Sequence, residues 1–154
     1  MADSSKAQLP LTEPELVVDL QNEYEKLSRE GSSDADQACF RLAWALVHSR
    51  SLKDVQRGLD LSTLLLQGHD LGSDTQRDAV YLCAVAKYKL GRYIDSRHQL
   101  EELLKVTPDC RQAQHLKQVV DDQIVKEGLI GVGIGAGVLA GVAAVVVGAL
   151  MARR

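Results

Sequence analysis

The residues most able to take part in catalysis or metal binding are a His-Ser pair and a small set of cysteines and histidines. His48 and Ser49 could supply a base and a nucleophile, but adjacent residues on a helix diverge by about 100° and cannot bond to each other. Cys110 and His115 are five residues apart, which is not a zinc-ligand spacing, and the sequence has no CxxC pair. These patterns predict no catalytic centre, no metal site and no cofactor, so we do not expect an enzyme.

Alternate glycines near the C-terminus superficially suggest a phosphate-binding loop: Gly131, Gly133, Gly135 and Gly137. Such a loop follows a strand and opens a soluble helix, and the sequence predicts neither here. The glycines lie in an uncharged run of 24 residues, Leu129–Ala152. As a helix with a rise of about 1.5 Å per residue, the run is roughly 36 Å long, more than the ~30 Å hydrocarbon core of a bilayer. We therefore predict a transmembrane anchor over residues 128–152 and a short basic tail at 153–154.

Three glycines at four-residue spacing, Gly133, Gly137 and Gly141, fall on one face of the predicted anchor. Small residues at this spacing let two membrane helices approach closely, so homo-oligomerisation through this face is one hypothesis. The alternative is a merely small and modestly hydrophobic anchor. Because the apolar run stands at the end of the sequence, we expect a tail-anchored protein with a single span and its N-terminal domain in the cytosol.

Charge and cysteine content narrow the class of protein further. The net charge is −3, of which Arg153 and Arg154 contribute +2, so residues 1–152 carry −5. This acidic balance argues against nucleic acid as a partner. The N-terminus lacks the basic start and apolar core of a secretory signal. Three cysteines in a chain without such a signal indicate reduced thiols rather than disulfides.

Helical periodicity and helix-terminating residues dominate the chain before the anchor, and no strand-like alternation stands out. The pattern predicts helices over about 13–29, 34–50, 51–68, 73–90 and 93–106, and a sixth from about 109. Two capping boxes, Thr12 with Glu15 and Ser73 with Gln76, are predicted to open the first and fourth helices. We predict an all-α, six-helix antiparallel bundle over residues 13–127, after a flexible segment over 1–12.

A helix-turn-helix pattern is visible inside this bundle. Lys89-Leu90-Gly91-x-Tyr93, then Leu103-Leu104 and Pro108, resembles a tetratricopeptide repeat. Ser96 stands where that repeat prefers alanine, so we expect slightly looser packing there. Residues 40–67 form a second, degenerate helix pair that lacks the Gly-x-Tyr turn. Two such repeats are too few for a solenoid, so flanking helices must close the core.

Four blocks of sequence carry a more specific resemblance. They are LAWALVHSR at 42–50, DVQRG at 54–58, YLxAVxxY at 81–88 and KEGLIG at 126–131. In this order and spacing, over about residues 13–154, the chain resembles the mitochondrial fission 1 family of tail-anchored adaptors. The resemblance implies a cytosolic bundle on the outer membrane of mitochondria and on peroxisomes. It also implies that the bundle recruits or regulates a dynamin-related GTPase, directly or through an adaptor.

The resemblance further implies a concave groove, lined by the first helix of each repeat, that the N-terminal segment can cover. By repeat geometry the predicted groove residues are Phe40, Trp44, Val47 and His48 from one helix and Tyr81, Val85, Tyr88 and Lys89 from the other. An apolar groove with aromatic anchors suits a partner helix or an extended peptide. The alternative is that the aromatic residues belong to the core and that Lys89 is a solvated charge. The first helix, Glu13 to Arg29, is one hypothesis for what occludes the groove.

Rival functions are less compatible with these features. A tail-anchored repeat receptor for import or chaperone docking would need several groove lysines and arginines, and the predicted groove has Lys89 alone. An apoptosis-type bundle would need a strongly apolar central hairpin in the soluble domain. A vesicle-fusion helix would need continuous heptads up to the anchor, which the turns at Gly68, Gly91 and Pro108 interrupt.

Overall fold

The computed structural model describes residues 6–68 and 71–128. Its helices are α1 (Pro14–Arg29), α2 (Ala35–Val47), α3 (Leu52–Gly68), α4 (Ser73–Lys89), α5 (Tyr93–Val106) and α6 (111–128). The described residues contain six helices and no strand, which confirms the predicted all-α class. The predicted anchor lies beyond the described residues, and within them no helix has the length and apolarity needed to cross a bilayer.

Glycines end α1 and α4 through the same hydrogen-bond arrangement. Gly31 and Gly91 have φ angles of 62° and 76°, which side chains with a Cβ rarely adopt. After α4, the Arg92 N–H donates to the Lys87 carbonyl at 2.8 Å and the Gly91 N–H donates to the Tyr88 carbonyl at 3.1 Å. This is a Schellman motif, and it reverses the chain within three residues so that α5 returns along α4.

Both predicted capping boxes are wrong. Helix α1 begins at Pro14, and its N-cap is Glu13 in an extended conformation (φ −74°, ψ 143°) without a side-chain cap. A residue that precedes proline is disfavoured in the helical region, so the helix cannot start early enough for Thr12 to cap it. Helix α4 begins at Ser73 itself, after Gly72 with φ 71°.

Sequential antiparallel packing builds the bundle. Each of α1 to α4 packs on the next helix along the chain, and α2 also contacts α4. The largest fully buried side chains include Leu42, Leu46, Leu65, Leu82, Leu100 and Leu116. Because α2 and α4 are the first helices of the two repeats, their contact forms one continuous wall.

Two small residues allow the helices to approach closely. A Cβ on Gly58 of α3 would lie 2.7 Å from Val47 Cγ2 and 2.9 Å from the Ala43 carbonyl oxygen of α2. Ser96 is fully buried, and its hydroxyl donates to the Ala84 carbonyl of α4 at 2.8 Å. The looser packing that we expected at Ser96 is therefore absent, because the hydroxyl bonds directly to the neighbouring helix.

Ion pairs attach α6 to α5. Lys117 Nζ lies 2.7 Å from Asp121 on its own helix, and Arg97 of α5 lies 3.0 Å from Glu101 and 3.5 Å from Asp121. Partly exposed pairs of this kind contribute little individually. These ion pairs and the buried Leu116 hold α6 against the bundle, next to the surface that α2 and α4 form.

Candidate functional site

A cavity of about 470 Å³ lies on the concave side of the bundle, between α2, α4 and α6. Its helical lining includes Phe40, Trp44, His48, Tyr81, His115 and Leu116. Four of these residues were predicted from the repeat geometry: Phe40 and Trp44 of α2 with His48 at its C-cap, at four-residue spacing, and Tyr81 of α4. The structure therefore brings Phe40, Trp44, His48 and Tyr81 together around one space, which we call the groove.

Trp44 and His48 form a stacked pair on α2. Their ring centroids are 4.2 Å apart with an interplanar angle of 29°. His48 Nδ1 lies 2.8 Å from the Trp44 carbonyl oxygen, and because a carbonyl only accepts, Nδ1 carries the proton. Burial lowers the pKa of His48, the bond to Trp44 opposes this in part, and the Lys89 cation lowers the pKa further. The α2 side of the groove is thus aromatic and uncharged at neutral pH.

Two of the predicted groove residues belong to the core. Val47 and Val85 are fully buried, so they offer no surface to a partner. Val47 and its neighbour His48 point in different directions, because successive residues on a helix are about 100° apart. Val47 therefore points at α3, where Gly58 receives it, while its neighbour His48 reaches the groove.

Lys89 has a structural partner that sequence reasoning did not predict. Its Nζ donates to the carbonyl oxygens of Val47 at 2.7 Å and Ser49 at 2.8 Å. Val47 is the last residue of α2, whose final carbonyls have no partner within the helix, and Ser49 lies two residues beyond it. Burial lowers the pKa of Lys89. Lys89 is therefore neither a groove cation nor a solvated surface charge, because it ties the end of α4 to the end of α2.

Residues 6–12, part of the segment that we predicted to be flexible, lie along the groove; we call them the N-terminal arm. The Ala7 N–H donates to Tyr88 Oη at 3.2 Å, and the Thr12 N–H donates to the His48 carbonyl at 2.9 Å. Ala7 and Leu9 are half-buried against the core, whereas Gln8 and Pro10 are exposed. The arm therefore crosses the groove from α4 to α2.

Helix α1 does not take the position that we hypothesised for it. It packs on α2 and bonds to α3 through Gln21 and Arg57, it does not line the groove, and none of its residues is buried. The part of the chain that lies across the groove is the arm that precedes it. The prolines at 10 and 14 could have indicated a non-helical segment before α1, since each restricts the residue before it to extended conformations.

Helix α6 supplies groove residues that were not predicted. Gln112, His115 and Leu116 line the cavity opposite α2. Apolar residues at helical spacing around Leu116 predict that one face of α6 is buried. They do not indicate which residues at the edge of that face reach the groove. Within the described residues, no group of three or more His, Cys, Asp or Glu side chains could hold a metal ion.

Family models match both halves of the bundle. The Fis1 N-terminal tetratricopeptide repeat matches residues 37–63, and the Fis1 C-terminal tetratricopeptide repeat matches residues 77–129. Mitochondrial fission 1 protein B of Arabidopsis thaliana is 36% identical over 148 residues, which cover 94% of this chain and 87% of that protein. The chain belongs to the mitochondrial fission 1 family. A further member, from Yarrowia lipolytica, is 37% identical over 145 residues, 94% of this chain and 89% of that protein.

Solved structures show the same fold in this family. The crystal structure of the fission protein Fis1 from Saccharomyces cerevisiae has a TM-score of 0.67 at 24% identity, over 79% of this chain and 90% of that chain. Yeast Fis1 in complex with an Mdv1 fragment has a TM-score of 0.68 at 23% identity, over 77% and 90% of the respective chains.

Proposed function

We propose that this chain is a non-enzymatic adaptor for mitochondrial fission, and that the groove is its partner-binding site. The observation that carries the proposal is a groove with aromatic and aliphatic walls and a polar edge that includes Asp78. Within the described residues, the arm that covers it is held to the helices by two backbone N–H groups, those of Ala7 and Thr12. Membership of the mitochondrial fission 1 family supports the cellular process.

The partner that we propose is a dynamin-related GTPase or the adaptor that binds it. The yeast relative of this fold was crystallised with a fragment of Mdv1 that contains an N-terminal extension and coiled-coil domains. That complex supports a protein partner for the family's helical domain. Recruitment of the GTPase to this chain, and action on peroxisomes as well as mitochondria, are parts of the same proposal.

The membrane anchor is the second part of the proposed mechanism. The uncharged run over residues 129–152 would hold the bundle on the outer membrane with its groove in the cytosol, and so raise the local concentration of a weakly bound partner. A fluorescent fusion of residues 120–154 should label mitochondria, and labelling of the reticulum alone would contradict the address. For the Gly133, Gly137 and Gly141 face, Gly137→Leu should weaken crosslinked dimers of the full-length chain, and unchanged crosslinking would refute that contact.

The arm is the proposed regulator of access to the groove. Proximity labelling from the full-length chain tests this, with removal of residues 1–12 as the variant. Labelling of the dynamin-related GTPase should rise when the arm is removed and fall again when Tyr81→Ala is added. Reduced labelling on removal of the arm would instead make the arm part of the partner site.

The alternative, a receptor for import or chaperone docking, has less support from the groove. Recognition of a terminal carboxylate needs several basic side chains in the site. Among the described residues that line the cavity, none is lysine or arginine. Lys89, the one candidate, is held by the two carbonyls at the end of α2.

A further inference from the structure

The bundle has two ends, and the proposed anchor follows from one of them. Helices α5 and α6 run antiparallel, because Arg97 pairs with Asp121 at 3.5 Å and Glu101 pairs with Lys117 at 4.0 Å. The end of α6 therefore lies beside the start of α5. The uncharged run over 129–152 follows α6 directly, and consecutive Cα atoms are about 3.8 Å apart. Where the run crosses a bilayer, this end of the bundle lies next to the headgroups, and we call it the membrane end.

The turns after α2 and after α4 both lie at the membrane end. Burial raises the pKa of Tyr93 at the start of α5, and the nearby Glu127 carboxylate of α6 raises this pKa further. Lys89, at the end of α4, bonds to carbonyls at the end of α2 and just beyond it. The two turns are therefore neighbours. We call residues 50–53 and 92–94, which belong to these turns, the base of the bundle.

The base exposes aliphatic and basic side chains together. Leu52 and Ile94 are 60% and 64% exposed, and Arg50 and Lys53 are exposed on either side of Leu52. Leu52 and Ile94 stand in the first turns of α3 and α5. Because side chains on a helix lean towards its N-terminus, both lean towards the membrane end. Aliphatic groups beside lysine and arginine are typical of surfaces that enter the headgroup region of a membrane.

The carboxylates next to the base have partners of their own. Asp54 lies 3.7 Å from Arg57, and Asp95 pairs with Arg92 at 2.9 Å. At the opposite end of α2, residues 30–34 between α1 and α2 include two carboxylates and no lysine or arginine. The turns of the base are therefore more basic than the turn at the opposite end of α2. Electrostatic attraction to anionic lipids favours the same orientation as the proposed anchor.

We infer that the base rests on the membrane that holds the anchor, with its two exposed cations against anionic headgroups and its two exposed aliphatic side chains among them. This inference rests on the proposed function, because it requires the anchor, and it adds a second contact with the bilayer. Glu13 and Glu15 begin α1 near His48, at the same end, so the contact lies under α3 and α5 rather than under α1. A second contact fixes the direction in which the groove faces.

Quenching of a fluorescent label by lipids with spin-labelled headgroups tests this contact in the full-length chain. The chain is reconstituted in phosphatidylcholine vesicles with about one-fifth phosphatidylinositol. Cys110→Ser leaves the two buried cysteines, which do not take the label. The label is attached at Ser51→Cys in the base or at Ser33→Cys, an exposed position about 20 Å away along α2. Quenching should be severalfold stronger at position 51, and should weaken there when phosphatidylinositol is omitted.

Two pairs of substitutions separate the charged from the apolar part of the contact. Arg50→Gln with Lys53→Gln should lower the equilibrium constant for contact about fivefold for each lost cation. Leu52→Ser with Ile94→Ser should weaken quenching at position 51 in the same vesicles, since the aliphatic groups no longer enter the headgroup region. Val106→Ser is the matched control, because Val106 is 83% exposed at the far end of α5. This control should leave quenching unchanged.

Washing the same vesicles with alkaline carbonate distinguishes failure of the inference from failure of the anchor. Retention of the chain with equal quenching at the two labels would overturn the inference and leave the anchor intact. Release of the chain would refute the anchor and the inference with it. Stronger quenching at position 51 that neither pair of substitutions reduces would also overturn the inference, because the anchor alone would then position the bundle. Weak quenching with protection of the base by an added mitochondrial extract would assign the base to a protein partner instead.

Discussion

Lys89 Nζ of α4 donates a 2.7 Å hydrogen bond to the carbonyl oxygen of Val47 at the end of α2, 42 residues earlier in the chain. A second bond joins Lys89 Nζ to the Ser49 carbonyl at 2.8 Å, two residues beyond the end of α2. The first helices of the two repeats are thereby joined at one end by a charged donor. The two carbonyls flank His48, whose own carbonyl accepts the hydrogen bond from the Thr12 amide of the arm.

Lys89→Met tests this joint, because methionine keeps the length of the apolar stem and removes the donor. Two partly buried carbonyls lose a charged partner, which should lower the free energy of unfolding by about 1–3 kcal/mol. Lys87→Met is the control, since Lys87 bonds to the Gln99 side chain rather than to α2. Urea unfolding measures both variants, and equal losses would argue against a special role for Lys89.

Tyr88→Phe should loosen the arm without weakening the bundle. The ring keeps its packing on Tyr93, whose centroid is 5.8 Å away, but the acceptor for the Ala7 N–H is gone. We expect exchange of the Ala7 amide to accelerate about fivefold or more, with a change in unfolding free energy below about 0.5 kcal/mol. Tyr81→Phe, whose hydroxyl does not bond to the arm, should leave the Ala7 amide unaffected.

Gly58→Ala should destabilise the bundle by about 1–3 kcal/mol, because the new methyl group would meet Val47 Cγ2 at 2.7 Å and backbone atoms of α2 at 2.9 Å. Gly68→Ala is the control on the same helix, where a Cβ meets nothing within 4 Å. That change should be neutral or stabilising by up to about 1 kcal/mol. Thermal unfolding distinguishes the two variants, and a neutral Gly58→Ala would show that α2 and α3 can separate at little cost.

Ser96→Ala should cost about 1 kcal/mol, even though alanine is the usual residue of the repeat at this position. The change removes a hydrogen bond that crosses from α5 to the Ala84 carbonyl of α4. Ser62→Ala is the comparison, because Ser62 is also fully buried but its hydroxyl donates to Gly58 within its own helix, with only the weakly bonding Cys83 thiol as its side-chain partner on α4. A bond of that kind adds little to helix stability, so Ser62→Ala should stay within about 0.5 kcal/mol in the same unfolding assay.

His48 should make the bundle less stable in mild acid. Burial lowers the pKa of His48 below its ordinary value of 6.5, so the unfolded chain binds a proton at a higher pH than the folded chain. The free energy of unfolding then falls as the pH drops below about 6.5 towards the folded pKa. Compared with the parent, His48→Gln should show a flatter pH dependence between pH 7 and 5. His98→Gln controls for removal of an exposed imidazole, and parallel curves for the parent and His48→Gln would contradict the prediction.

The sequence predicted most of the fold because helix ends are encoded locally. Gly31 and Gly91 have the positive φ angles that their positions at helix ends suggested, and the chain reverses at both. The capping box at Thr12 and Glu15 failed for an equally local reason, since Pro14 restricts Glu13 and so excludes Thr12 as the cap of the helix. A capping-box pattern therefore predicts a helix start only if the residues between its two members can adopt helical angles.

The groove was predicted less completely than the helices. Repeat geometry identifies α2 and α4 as the helices that line the groove. It does not decide between neighbouring residues, such as His48 in the groove and Val47 in the core. The two carbonyls that bind Lys89 and the residues of α6 depend on contacts between distant segments, which no local pattern encodes. The docked position of the arm is of the same kind, because it follows from Tyr88 and His48 rather than from the arm itself.

The arm is covalently part of the chain whose groove it fills, and this has a consequence for dosage. A tethered competitor meets its site equally often whether a membrane carries few copies of the protein or many. Overproduction of the chain would therefore leave unchanged the ratio of copies whose groove is covered by the arm to copies whose groove is open. If the arm regulates access as proposed, only a change in the concentration or the affinity of the partner would shift that ratio, and the number of copies of this chain would not.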